Sequence, residues 1–200
     1  MSEENNAPFK MVKIHHAHTL EKAIQEEKID PLMIPFARHV AQTKDYFTTS
    51  TCSGRITLMD LPENEEKRPG AFYRKWHRTV NKKEVEEGIA TYSNNRNLWL
   101  KQDAFVYVIG THSIEKAQLV LHACQEAGVK RVGIHYIGKG KILIEIFGTH
   151  RMNVPLILEG KKIADADYIQ KIIPIANRKL KQNETKRKIL EKFLRKAMKK

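Results

Sequence analysis

The densest chemistry in this 200-residue chain lies in YFTTSTCSGRI, residues 46–56. Thr48, Thr49, Ser50, Thr51 and Ser53 place five hydroxyls in six positions. Gly54 can take backbone conformations closed to other residues. Arg55 adds a planar, permanently charged fork that matches a carboxylate or a phosphate. A strand ending in such a turn presents amides, hydroxyls and a guanidinium together, which suits a polar or anionic ligand. A hydroxyl-rich edge strand with a tight turn would carry the same residue types. Cys52 stands too close to Arg55 for the loop of the cysteine phosphatases and reads as a buried, inert thiol at a turn.

A second cluster is FYRKWHR, residues 72–78. Basic and aromatic side chains together stack and clamp unpaired RNA bases. In an alternating strand Lys75 and His77 share one face, and Arg74, Trp76 and Arg78 the other. With Trp76 in the core, the arginines beside it place this strand at a sheet edge. Arg151, in GTHRMNVPL (148–156), stands just past a strand, where sites gather. The histidines at 15, 16 and 18 lack a metal-binding helical spacing, and Cys52 and Cys124 are too few for a cysteine zinc site or a disulfide framework, so no metal is expected. GKGK at 138–141 has strand chemistry on both sides and predicts a hairpin turn, not a phosphate loop.

The elements that must hold these groups alternate between helix and strand. Residues 1–14 read as a loose lead-in, followed by a helical pattern around Leu20, Ala23 and Ile24. Asp30-Pro31 opens a second helix. Strands are expected at 46–51, 55–60, 71–78, 98–101, 104–110, 131–137, 141–147 and 154–158. Asn81 with Glu84 forms a capping box, and Ser113 caps an amphipathic helix that Gly128 stops. Asp165 opens a last helix, which Pro174 is expected to kink or divide. The orders strand-helix-strand-strand over 104–147 and strand-helix-strand over 71–101 hint at a duplicated β-α-β-β unit. The fold class is α+β: a two-layer mixed sheet with helices packed against it. It is not Rossmann, because no GxGxxG follows a strand. A single domain over residues 1–200 is expected, with a core at 15–182 and a basic C-terminal helix at 183–200.

The chain carries a formal charge of +13, and residues 178–200 hold eleven Lys/Arg against two Glu. Basicity this local suggests a polyanion partner, most simply nucleic acid. Mean hydropathy is −0.52, and no apolar run approaches the length of a membrane span. MSEENNAPFK lacks the layout of a secretory signal, so a cytoplasmic protein without membrane contact is expected.

Together these segments resemble the tRNA wybutosine-synthesising methyltransferases, the third-step enzymes, in their archaeal form. YFTTSTCSGRI resembles the family's Ser/Thr-rich signature, and AFYRKWHR its next strand with a Lys-Trp-His element. SIEKAQLVLHACQEAGVKRVGI, KGKILIEIFGTHRMNVPL and ADADYIQKIIPIANRKL resemble later motifs, in the same order, over residues 19–182. The family often has Ser at the places of Thr51 and Gly148, and an uninterrupted helix where Pro174 stands.

The resemblance implies transfer of a methyl group from S-adenosylmethionine to N4 of 7-aminocarboxypropyl-demethylwyosine at position 37 of phenylalanine tRNA. Ser50, Thr51, Ser53, Gly54, Arg55 and Arg151 would hold the cofactor, and His77 and Lys75 would serve catalysis. The basic C-terminal end would lie along the anticodon stem-loop. The rival readings are a non-catalytic RNA-binding module using the same surface and a Cys52-dependent hydrolase or redox protein.

Overall fold

A computed structural model describes residues 7–66 and 68–199 of the chain. Helix α1 spans Ala7–Gln25, a 3-10 turn Pro31–Met33, and α2 Ile34–Gln42. Strands β1 (Tyr46–Cys52), β2 (Arg55–Leu61) and β3 (Phe72–Trp76) precede α3 (Lys82–Ala90). Strands β4 (Asn97–Asp103) and β5 (Val106–Thr111) lead to α4 (Ile114–Glu126), then β6 (Arg131–Gly138), β7 (Lys141–Phe147), β8 (Met152–Leu158), the short β9 (Lys161–Lys162) and α5 (Ala166–Ala197). The described residues form two compact units: unit 1 takes residues up to 53, 105–149 and 185 onward, and unit 2 takes 54–104 and 150–184.

The α+β, non-Rossmann class holds, and the strands are divided between two sheets in which every ladder is antiparallel. Unit 1 contains the order β1-β5-β7-β6 and unit 2 the order β3-β2-β4-β8-β9. Although β1 and β2 are consecutive, they pair with different partners. In unit 1 the run β5-α4-β6-β7 follows the expected β-α-β-β order; in unit 2 the run is β2-β3-α3-β4, with the strand pair ahead of the helix.

The unit 1 core gathers Phe36 and Val40 of α2, Tyr46 of β1, Tyr107 and Ile109 of β5, Ile142, Ile144 and Ile146 of β7, and Leu190 and Leu194 of α5. Its period-two isoleucines and period-four leucines are the burial patterns of a strand and a helix. Helix α1 is tied down by Lys13, whose Nζ donates to the carbonyls of Ala41 (2.6 Å) and Tyr46 (2.9 Å). The helix starts at Ala7 and replaces the loose segment expected as far as residue 14; Pro8 falls in its first turn, where no backbone donor is needed. Residues 1–6 lie outside the described residues. The hairpin at 138–141 is as expected: Lys139 (φ 48°) and Gly140 (φ 71°) both take the left-handed conformation that a two-residue turn of matching twist requires.

The unit 2 core packs Ile56 and Leu58 of β2, Leu98 and Leu100 of β4 and Leu156 of β8 against Val85 and Ile89 of α3 and Ile169, Ile173 and Ala176 of α5. Asn81 and Glu84 complete the capping box, with bonds of 2.9 Å each way. The Asn177 side chain bonds both backbone groups of Val80, at 3.0 and 2.8 Å. Pro174 neither divides nor ends α5. It is exposed, so the carbonyl it deprives of a donor lies on the wet side of the helix.

Two buried polar groups of unit 1 have measurable consequences. Arg187 is only 3% exposed; its Nη1 donates to Glu191, which also accepts from the Tyr107 hydroxyl. Exchanging Glu191 for Leu strands the guanidinium and should lower unfolding free energy by about 3–5 kcal/mol, while the double variant Arg187→Met/Glu191→Leu should recover most of it. Urea unfolding of the full chain measures both. Cys124 is buried, and burial pushes its thiol up to about 12. In native protein at pH 8 it should resist alkylation, while Cys52, half-buried at the end of an edge strand and not enclosed as expected, should react.

Candidate functional site

In β2 the pleat sends Ile56 and Leu58 toward the helices and Arg55, Thr57 and Met59 to the opposite face. Register then sets what stands beside them. Thr57 pairs with Lys75 on one side and Lys101 on the other, and Lys101 pairs with Asn153. Lys75, Thr57, Lys101 and Asn153 therefore form one row across four strands. Arg55 pairs with Asp103 in the next row. His77 follows Trp76, the partner of Ile56, and Arg151 precedes Met152, the partner of Gln102, so each stands one residue beyond its ladder.

Arg55 is held from two directions. Its Nε donates to Asp103 Oδ2 at 3.2 Å, and its guanidinium lies 4.5 Å from the Phe72 ring centroid. With 24% of its side chain exposed, the fork is fixed yet open. As expected, β3 is an edge strand with Trp76 on the core side. Arg74 shares that side and sits over Tyr73, while Arg78 leaves the sheet to form a two-point bond with Glu84. His77 lies one residue past the strand, not within it. Unit 2 thus brings Arg55 and Lys75 onto one face, with Gly54 (φ 97°) at its start, while His77 and Arg151 stand just beyond the strand ends.

Ser50, Thr51 and Ser53 belong to unit 1. Thr48 pairs with Ile109 and Ser50 with Val108, so Thr49 is an extra, bulged residue. Thr48 to Thr51 line a hollow of about 210 Å³ together with His16, Thr19 and Lys28. Hydroxyls, an imidazole and one ammonium there suit a small polar ligand. Ser53 is buried, and its backbone N–H donates to Asp30 Oδ2 at 3.0 Å, while Asp30 Oδ1 accepts from Leu32 N at 3.1 Å. One carboxylate therefore caps the 3-10 turn and pins the end of the signature segment.

The C-terminal stretch of α5 contributes a separate feature in unit 1. Lys188, Lys192, Lys196 and Lys199 recur at helical spacing along an exposed groove. Glu191 and Arg195 line the same groove, the carboxylate of Glu191 being bonded to Tyr107 and Arg187.

Reading the sequence named the basic groups but missed Asp103, Lys101, Trp99, Asp30 and His16. The first three stand in NLWLKQD, whose alternation puts Leu98 and Leu100 on one face and Trp99, Lys101 and Asp103 on the other, a signal present in the sequence. Asp30 was legible only as a helix cap.

The family model described as Methyltransferase TYW3 matches residues 10–196. A Thermococcus kodakarensis protein named tRNA(Phe) 7-((3-amino-3-carboxypropyl)-4-demethylwyosine(37)-N(4))-methyltransferase 1 is 34% identical over 177 residues, 88% of this chain and 89% of its own. A Pyrococcus horikoshii protein of the same name is 32% identical over 92% of this chain and 93% of its own. The solved structure of PH1069 from Pyrococcus horikoshii superposes with a TM-score of 0.89 at 29% identity, covering 98% of this chain and all of that one. A hypothetical protein from Aeropyrum pernix gives 0.70 at 27% identity, covering 85% of this chain and 98% of its own. No described helix is long and apolar enough to cross a membrane.

His16 supplies a pH test of the hollow. Its ring stacks on Phe47 (4.6 Å, 3° between planes), and burial, then His15 and Lys141, hold its pKa below the ordinary histidine value. A lowered folded pKa means its stabilising contribution is whole above about pH 6.5 and is lost as pH falls through the folded value. Phe in place of His16 should keep the stack and flatten the loss of stability below about pH 6.5, read from urea midpoints across pH. His39, lowered by burial and by Arg195 and Lys199, leaves a residual slope.

Proposed function

Because the chain belongs to the TYW3 methyltransferase family, we propose that it is the tRNA enzyme that methylates N4 of 7-aminocarboxypropyl-demethylwyosine at position 37 of tRNA(Phe), with S-adenosylmethionine as donor. The observation that carries the reading is the family match across nearly the whole chain, with relatives named for that reaction. It favours an enzyme over a non-catalytic RNA-binding module.

Two donor sets in the chain fit the polar groups of S-adenosylmethionine. In unit 1, Ser50 and Thr51 line a hollow that suits ribose hydroxyls or a carboxylate, and Ser53 follows them, buried past the end of the strand. In unit 2, Gly54, Arg55 and Arg151 suit a carboxylate, either the cofactor's or that of the aminocarboxypropyl arm. When bound, the cofactor supplies a methyl group on a sulfonium. Transfer would form the N–C bond as the S–C bond breaks, and the acceptor nitrogen would give up its proton.

The protein's work is alignment and charge placement. His77 is suited to accept that proton or orient the base, because imidazole titrates near neutrality. Lys75, exposed in the next row, offers a cation to the substrate's phosphate or arm. Arg55 presents a guanidinium already fixed by Asp103 and Phe72, so little freedom is lost on binding. The lysine stripe of α5 suits the phosphates of the anticodon stem, an affinity that falls steeply with salt.

Incubating the protein with donor and hypomodified tRNA(Phe), then analysing nucleosides by mass spectrometry, should show the mass gain of one methylene at the modified guanosine. No gain would overturn the reading. Exchanging His77 for Ala should cut turnover by about 10²-fold or more while changing the Kd for tRNA less than about threefold. Equal losses in both would make His77 a binding residue. Calorimetry with S-adenosylmethionine should show weaker binding to the Arg55→Ala protein, and Cys52→Ser should leave turnover intact.

A further inference from the structure

The face of the unit 2 sheet that carries Arg55 continues beyond the groups assigned above. Two residues along β2, past the lysine row, Met59 pairs with Trp99, which also pairs with Pro155 of β8. Met59, Leu61 and Ala71 are buried there with Phe72 and Trp99 packed on them, and no helix residue belongs to that cluster. Both rings are half-buried, so each is seated but not sealed. Each also lies close to a cation: Arg55 at 4.5 Å from the Phe72 centroid and Lys101 Nζ at 5.6 Å from that of Trp99. Asn153, exposed beside Lys101, adds an amide with both donor and acceptor.

We propose that this face is a platform for unpaired RNA nucleotides, in which Trp99 and Lys101 hold a nucleotide neighbouring the base that is methylated. The proposal rests on the reading above, which brings that base to the Arg55–Asp103 row. Trp99 is four residues from Asp103 along β4, about 13 Å at the rise of a strand, the reach of a neighbouring nucleotide. The composition fits a single strand. Every base has a flat face, so stacking on an aromatic ring with a cation beside it is tolerant of sequence, and the ammonium meets the phosphate that accompanies the base.

Duplex RNA offers no bare base face to such a surface and is read by shape across its minor groove. A protein partner would need a broad apolar area, whereas Met59 and Leu61 are buried and leave two rings among cations. The only acid in the two charged rows is Asp103, and it is engaged by Arg55.

The test uses the chain's own fluorescence. The sequence has two tryptophans, and Trp76 packs in the core, so a Trp76→Phe protein reports on Trp99 alone. An RNA hairpin with the anticodon-arm sequence of tRNA(Phe) should quench Trp99 saturably, and a fully paired RNA duplex should not. Trp99→Leu and Lys101→Met should each raise the Kd for the hairpin about tenfold, Trp99→Tyr much less, and Lys101→Met should also reduce the salt slope by about 0.7. Binding of S-adenosylmethionine by calorimetry should be unchanged in all three.

Thermal melts check folding, and if Trp99→Leu does not fold, Trp99→Tyr and Lys101→Met still decide. An unchanged Kd in Lys101→Met, a silent Trp99, or equal quenching by the duplex would overturn the platform. Methyl transfer with a silent Trp99 sinks the platform alone. Trp99 quenching without methyl transfer to tRNA sinks the catalytic reading and leaves the platform standing.

Discussion

The two-residue pleat of β2 is the constraint on which unit 2 depends. Ile56 and Leu58 must reach the helices, so Arg55 and Thr57 must turn away from them. Pairing with β3 and β4 then recruits Lys75, Lys101 and Asp103 to the same side. A slip of one residue would turn Arg55 among the apolar side chains under the helices and bury its guanidinium, a change costing several kcal/mol. Burial on one face of the sheet therefore fixes the register of the charged groups on the other. The pairing of Arg55 with Asp103 and Phe72 refines a position that hydrophobic packing has already chosen.

Unit 1 relies on anchors of a different kind. Asp30 joins the start of a 3-10 turn to Ser53 of the signature segment through two separate carboxylate bonds. Glu191 joins the C-terminal helix to β5 while balancing the buried Arg187. Both are acids whose value lies in what they hold.

Local features were legible in the sequence and nonlocal ones were not. The Asn81–Glu84 and Ser113 caps, the Lys139–Gly140 turn and the edge position of β3 follow from side chains only a few residues apart. The division of strands between two sheets does not, because β1 and β2 look like the arms of a hairpin until β5 and β4 claim them. The candidate site divides along the same line. Arg55, Lys75, His77 and Arg151 could be named from residue type, but Asp103 lies 48 positions from Arg55 and acquires meaning only through the ladder. The early start of α1 was missed because Pro8 costs little in a first turn, and the continuity of α5 because the carbonyl that Pro174 leaves without a donor is on the wet side.

The bulge at Thr49 reaches further than its single residue. With that residue present, Ser50 and Cys52 sit across from Val108 and Val106, while Thr51 sits across from buried Tyr107. Were Thr49 paired in register instead of bulged, it would face Val108, Ser50 would meet Tyr107 and the hydroxyls would exchange sides. For this stretch, evolutionary drift is therefore freer in spelling than in geometry: one hydroxyl can replace another, but ironing out the bulge would reassign every opposing residue beyond it.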